Sequence, residues 1–236
     1  MNKTALITGA SSGIGRETAL KLAVEYKYYV IAISRNATLL QLLKEEAEAV
    51  GGKIITLTLD LLDQDFSPVS GLLKEHKITS LDVLINNAGL LINKPFTDLQ
   101  HNDLFNSYKV NAIAPLLLVQ QLLPFLKNAK QAHIVNISSM GGFQGATKFS
   151  GLVAYSSAKA ALVCITECIA EELKSTNIRC NCLCLGSVDT EMLKEAFPGY
   201  QASVSTKEMA EYISRFANEA HTVMNGKIIP VAFSTP

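Results

Sequence analysis

Tyr155 and Lys159 stand four residues apart in Tyr155-Ser-Ser-Ala-Lys159. On a helix one turn separates them, so both side chains lie on one face. A phenol and an ammonium placed this way can exchange a proton with a carbonyl or alcohol oxygen. A free tyrosine titrates near pH ~10, too high for an efficient base at neutrality. A positive charge ~4 Å away is worth up to about 4 kcal/mol at moderate dielectric. At about 1.36 kcal/mol per unit this lowers the tyrosine pKa by as much as ~3 units. Lys159 is therefore expected to draw Tyr155 toward neutrality. Upstream, Ser138 and Ser139 offer two neighbouring hydroxyls at the end of an apolar run.

A second group of residues suits an anion. The apolar run Thr4–Thr8 leads straight into Gly9-Ala10-Ser11-Ser12-Gly13-Ile14-Gly15, after which a helix begins. Glycines let the backbone turn sharply and approach a pyrophosphate without a Cβ in the way. The helix start presents free N–H groups and the positive end of its dipole. On the first β-to-α turn of an α/β chain, Gly9, Ser11, Ser12, Gly13, Ile14 and Gly15 are thus expected to hold a dinucleotide. After the second apolar run come Ser34 and Arg35. An acid at position 34 would accept hydrogen bonds from a ribose diol and repel a 2′-phosphate. Serine followed by a guanidinium favours the phosphorylated cofactor, NADP(H), over NAD(H).

The elements that must position these groups follow from the hydrophobic pattern. Short β-branched apolar runs over 4–8, 29–34, 53–59, 83–85, 133–138, 178–184 and 227–231 read as strands. Between them, helical periodicity marks 14–26, 37–50, 66–76, 102–127, 154–175 and 206–220. Apolar strands alternating with helices predict one α/β domain over 1–236, a doubly wound parallel sheet of about seven strands covered on both faces. No linker or repeat divides the chain. Within the helix expected over 102–127, Pro115 has no N–H for the Asn111 carbonyl four residues earlier, so that carbonyl must find another partner.

Composition narrows the function classes. Twenty-one lysines and arginines balance 21 acids, so no net field favours nucleic acid or an anionic membrane. The early apolar stretch is too short for a signal core, and no later run is read as reaching transmembrane length, which points to a soluble, cytoplasmic protein. The 5 cysteines all lie between positions 164 and 184. Cys180, Cys182 and Cys184 alternate along one strand, and the 4 histidines are scattered without ligand spacing. Packed, reduced thiols and no metal are the expectation.

The glycine spacing, Asp60-Leu61 after the third strand, Asn86-Asn87-Ala88-Gly89 after the fourth, Asn111, Ser139 and Tyr155-x-x-x-Lys159 occur in one order. In that order, and over most of the chain up to about residue 190, the sequence resembles the short-chain dehydrogenase/reductase family and its carbonyl reductases. The resemblance implies a Rossmann-like fold and a hydride passed between NADP(H) and a carbonyl or alcohol substrate. Tyr155 would be the acid/base, Ser139 would hold the substrate oxygen, and Lys159 would bind the nicotinamide ribose. The Asn111 carbonyl would hold a water leading protons to Lys159. Asp60, Leu61, Asn87, Ala88 and Gly89 would flank the cofactor. Leu185-Gly186-x-x-x-Thr190 is similar to the family's P-G-x-x-x-T, with leucine for proline; Gly186, Val188 and Thr190 would sit by the nicotinamide.

Residues 187–205 would then form a lid, with Phe143, Phe149, Met192, Leu193 and Phe197 giving the substrate pocket an apolar lining. Ser139 and Tyr155 are also three residues further apart than the family pattern; the extra length falls in the loop over Gly141–Leu152, which leaves the chemistry intact if it bulges outward but should reshape the substrate entrance. Relatives pair through helices equivalent to 102–127 and 154–175, implying a homodimer or homotetramer. Leu116, Leu117, Leu118, Leu122 and Leu123 exceed what one buried face requires. The competing class is a sensor or scaffold that binds NADP(H) without turnover.

Overall fold

The computed structural model describes residues 3–233. The ends of the domain expected over 1–236 lie outside the described residues. β1 (Thr4–Thr8), β2 (Tyr29–Ser34), β3 (Lys53–Thr58), β4 (Val83–Asn86), β5 (Ala132–Ser139) and β6 (Ile178–Leu185) occupy the expected runs. With β9 (Ile228–Val231) they form one parallel sheet in the order β3-β2-β1-β4-β5-β6-β9. Strand order reverses between β1 and β4, and there a crevice opens beyond the carboxyl ends of the strands.

Side-chain alternation builds a core on each face. Ile7, Ile85, Val135 and Leu183 point to one side, against α1 (Gly13–Val24), α2 (Ala37–Ala49) and α8 (Thr206–Glu219). Leu6, Leu84, Ile134 and Cys180 point to the other, against α3 (Ser67–Glu75), α5 (Ala114–Asn128) and α6 (Val153–Glu172). Local chemistry sets the helix starts: Asn36 Oδ1 accepts the Leu39 N–H (3.0 Å), and Ser205 with Glu208 completes a capping box on α8.

The helix expected over 102–127 is three pieces in one continuous run. α4 (His101–Tyr108) passes through a π-helical turn, Lys109–Ile113, into α5. The Ala114 N–H reaches back to the Lys109 carbonyl, a five-residue step. Pro115, at the start of α5, has no N–H to offer, and the widened turn accommodates that loss just where Asn111 sits. The run 101–128 and α6 are long and apolar enough to span a membrane by length and composition, which corrects the reading that no segment reaches that length. Each packs one face on the sheet, and 50% and 39% of the apolar windows are buried.

His133 is fully buried at the far end of the sheet from the crevice. Its Nδ1 lies 3.0 Å from the Ala217 carbonyl, and the Asn181 amide lies 2.9 Å from Nε2. Both contacts suit the neutral ring, and burial pushes its pKa down to about 4. The unfolded chain takes up this proton near pH ~6.5, so stability is whole above that value and declines as pH falls toward ~4, by up to about 3 kcal/mol. Urea midpoints at pH ~7 and ~4.5 should differ accordingly, and His133→Gln should flatten the difference. An unchanged slope in that variant would place the acid sensitivity elsewhere.

Candidate active site

The crevice is a cleft of about 910 Å³ at the carboxyl edge of the sheet. Gly9 (φ +69°) and Gly13 (φ +55°) turn the first loop, and a Cβ on Gly15 would stand 2.3 Å from the Gly9 carbonyl oxygen. The Ser12 side chain makes no cap bond and the first turn of α1 carries no acid, so its N–H groups stay available to an anion. Thr8 fastens the other wall: its Oγ1 accepts the N–H groups of Asn87 and Ala88 (both 3.1 Å). The Asn87 amide in turn donates to the Thr8 carbonyl (2.9 Å). At the far end the Ser11 and Ser34 hydroxyls are 2.7 Å apart. Together with Arg35, Asn36 and Ala37 they line a second cavity of about 540 Å³.

Of the residues singled out from sequence, Gly9, Ser11, Ser12, Gly13, Ile14, Gly15, Ser34, Arg35, Asp60, Leu61, Asn87, Ala88 and Gly89 line the main cleft. So do Ser139, Tyr155, Lys159, Gly186, Val188 and Thr190. Phe149, Met192, Leu193 and Phe197, expected to line a substrate pocket, line the same cleft. Two do not reach it. Phe143 packs against the small core of Met140, Ala146, Cys182 and Cys184, because the start of the loop before α6 folds inward while residues 147–150 stay exposed. Gly142 permits this approach, since a Cβ there would come within 2.6 Å of the Lys159 backbone carbonyl carbon.

Asn111 is the second exception. Its buried side chain accepts the Leu90 N–H (3.1 Å) and donates to the carbonyls of Leu90 (2.8 Å) and Ser107 (2.9 Å). It clamps the π turn to the chain leaving β4, with no donor or acceptor turned to the cleft. A Cβ on Gly89 would sit 3.3 Å from Asn111 Oδ1 and 3.6 Å from Lys159 Nζ, so these three residues meet beneath the floor.

The serine pair separates cleanly. Ser138 Oγ donates to the Lys159 carbonyl (2.9 Å) and is spent on holding α6 to β5. Ser139 Oγ accepts the Gly141 N–H (3.1 Å) and stands beside Tyr155.

The electrostatics overturn one expectation. Burial raises the Tyr155 pKa to about 12, and the Ser139 hydroxyl offsets this only in part. The Lys159 ammonium does not outweigh this burial. Its Nζ donates to the Ile137 carbonyl (2.7 Å) and lies 5.8 Å from the centroid of the Tyr155 ring. Burial also works on the ammonium itself, pushing its pKa down to about 8. Desolvation penalises both charged forms, and it outweighs their mutual attraction. At neutrality the site therefore holds a protonated phenol, the form that gives a proton.

Sequence reasoning missed several lining residues: Thr8, Leu91, Ile92, Leu152, Tyr200 and Phe233. Leu90-Leu91-Ile92, an apolar run beyond the end of β4, was a readable signal for two of them. Segment 187–205 holds β7 (Val188–Asp189), α7 (Glu191–Ala196) and β8 (Val204–Ser205), with β7 and β8 paired in parallel so that its ends are held together. Such short elements leave no periodicity to read.

A doubly wound sheet with a glycine loop and helix start at its switch point and a Tyr/Lys/Ser group in the same cleft defines a dinucleotide-binding oxidoreductase. The family model for short chain dehydrogenases matches residues 3–201. The chain belongs to that family. It is 34% identical over 188 residues to the ketoacyl reductase HetN of Nostoc sp., with 79% of this chain matched to 63% of HetN. It is 29% identical to the 3-oxoacyl-[acyl-carrier-protein] reductase FabG of Aquifex aeolicus over 97% of this chain and 95% of FabG. Among solved structures, an Escherichia coli short chain dehydrogenase complexed with NADPH superposes with a TM-score of 0.86 at 28% identity, covering 98% of this chain and 97% of that one. One from Shigella flexneri complexed with NADP gives 0.87 at 27%, with the same coverage.

Proposed function

We propose that this chain is an NADP(H)-dependent reductase of carbonyl compounds, with Tyr155 as the proton donor. The observation that carries the reading is the half-buried Tyr155 beside Ser139 and Lys159 on the cleft floor. When bound, the cofactor supplies the hydride. The protein's share is to hold and to protonate. Ser139 and Tyr155 hold the carbonyl oxygen, and the Tyr155 proton passes to it as negative charge develops. Lys159 binds the nicotinamide ribose and steadies the phenolate left behind. Asn111 acts by positioning: its clamp fixes the π turn against Gly89 and so sets the wall next to Lys159. Segment 187–205 serves as the lid.

Ser34 and the exposed Arg35 support NADP(H), because the second cavity they line offers a guanidinium and two hydroxyls to a 2′-phosphate. Solved relatives complexed with NADPH and NADP point the same way. The kcat/KM with NADPH should exceed that with NADH by about tenfold or more, the worth of one charge-assisted contact. Arg35→Glu should shrink or reverse the ratio. Equal efficiencies in the parent protein would remove the assignment.

Association into dimers or tetramers through α5 and α6 belongs to the same proposal. Leu118 and Leu122 are consumed by the core, which leaves the partly buried Leu116, Leu117 and Leu123 for such a contact. The two relatives named as reductases of ketoacyl groups make carrier-bound β-keto acyl thioesters the first substrate class to weigh.

A further inference from the structure

Three loops meet over the substrate end of the cleft. Leu91 and Ile92 follow β4, Phe149 and Leu152 precede α6, and Met192 and Phe197 come from segment 187–205; all six side chains line the cleft. Asn93 joins the three. Its Nδ2 donates to the Ala196 carbonyl (2.7 Å), and its Oδ1 lies 2.0 Å from where a Cβ on Gly151 would stand. Beside it, the Lys94 N–H donates to the Gly151 carbonyl (2.9 Å). Tyr200 Oη donates to Ser187 Oγ (3.2 Å) and braces the third loop on itself. The apolar residues are thus gathered under a bonded junction.

The charges on these loops are disposed against an anion. Each loop carries one lysine, and each is engaged: Lys94 with Asp103 (2.6 Å), Lys148 with the Phe143 carbonyl (2.6 Å), Lys194 with Asp189 (3.0 Å). Segment 187–205 sets Asp189, Glu191 and Glu195 against Lys194 alone. Among the described residues, the charged groups lining the cleft are Arg35 and Asp60 toward the adenosine end, Lys159 in the floor and Glu191 at the rim. A phosphopantetheine arm carries a phosphate, which needs a cation or an open helix start close to the mouth. Here the rim offers an acid.

We propose that the substrate end of this cleft takes a compact, uncharged, apolar ketone free in solution, and not an acyl group on a phosphopantetheine carrier. The proposal rests on the hydride-transfer reading above. In the reaction the carbonyl carbon gains a hydride from NADPH, and the C=O π pair becomes the oxygen lone pair that takes the Tyr155 proton. The ketone is reduced to an alcohol and NADPH is oxidised to NADP⁺.

The test compares three probes by NADPH consumption: β-tetralone, the N-acetylcysteamine thioester of a β-keto acid, and the coenzyme A thioester of the same acid. The two thioesters share a reacting group and differ in charge. We expect β-tetralone to give the highest kcat/KM and the neutral thioester to exceed the coenzyme A thioester by about tenfold or more. Glu191→Lys should narrow that second ratio by about threefold or more, and added salt should narrow it too. A coenzyme A thioester used as well as its neutral counterpart would overturn the proposal and leave the reductase reading standing. If no probe is reduced, calorimetric titration of β-tetralone into the NADP⁺-loaded protein decides. Binding without turnover supports the apolar site and removes the reductase reading, whereas absence of binding overturns both.

Discussion

Tyr155→Phe should lower turnover of an established carbonyl substrate by about 10²–10⁴-fold, the usual cost of a lost general acid, while NADPH affinity stays nearly constant. The ring is half-buried at the cleft floor, so phenylalanine keeps its packing and removes only the hydroxyl. No other group at the floor can replace it. Ser139 is a hydroxyl with no charged partner to accept its proton in exchange, Ser138 is committed to the Lys159 carbonyl, and Lys159 points to the Ile137 carbonyl. The loss should fall on kcat more than on KM, because the proton moves only as the oxygen becomes negative. Retention of most of the activity would end the proposed mechanism. Normal NADPH binding, with neither form reducing any carbonyl, would favour a cofactor-binding sensor.

Lys159→Met should reduce both turnover and cofactor affinity, and its pH signature separates it from the tyrosine variant. The ammonium is buried and its pKa is pushed down to about 8, so it is mainly charged at neutrality and loses that charge over the next units of alkalinity. In the oxidative direction the working form is the Tyr155 phenolate, which burial alone disfavours. Removing the cation takes away what steadies that phenolate, so the rise of oxidative activity with pH should move to higher pH. Turnover should fall by about 10²-fold or more, and the NADPH dissociation constant should rise by about tenfold, as for one charged hydrogen bond lost. Arginine is not expected to rescue it, because Nζ already lies 3.6 Å from where a Cβ on Gly89 would stand and the guanidinium is larger. An unmoved profile with unchanged affinity would show that Lys159 only packs.

Much of this protein was legible in the chain because its strongest signals are local. A glycine at positive φ, an alternating apolar strand and a helix cap are decided by neighbouring residues. The strand runs and the Tyr155/Lys159 spacing were therefore readable without coordinates. The break in the helix at Pro115 was readable for the same reason, since a missing N–H is a property of one residue. The short elements within segment 187–205 were not, because β7 and β8 are held by pairing across the chain and α7 is too short to show a period.

What the sequence by itself determined was the fold, the phosphate loop and the set of groups available for proton and hydride chemistry. Tertiary structure alone decided how those groups behave. Ser138 and Ser139 are neighbours of one kind, and only the packing of α6 on β5 commits the first to a carbonyl and sets the second beside Tyr155. Phe143 and Phe149 lie in one loop, and the close approach allowed by Gly142 buries the first and turns the second into the cleft. Spacing placed an ammonium one turn from Tyr155, but the sign of the tyrosine's shift depended on solvent exclusion, a sum over residues distant in the chain. Excluding solvent raised the pKa of the phenol and lowered that of the ammonium, which is why the phenol stays protonated at neutrality despite the charged lysine beside it.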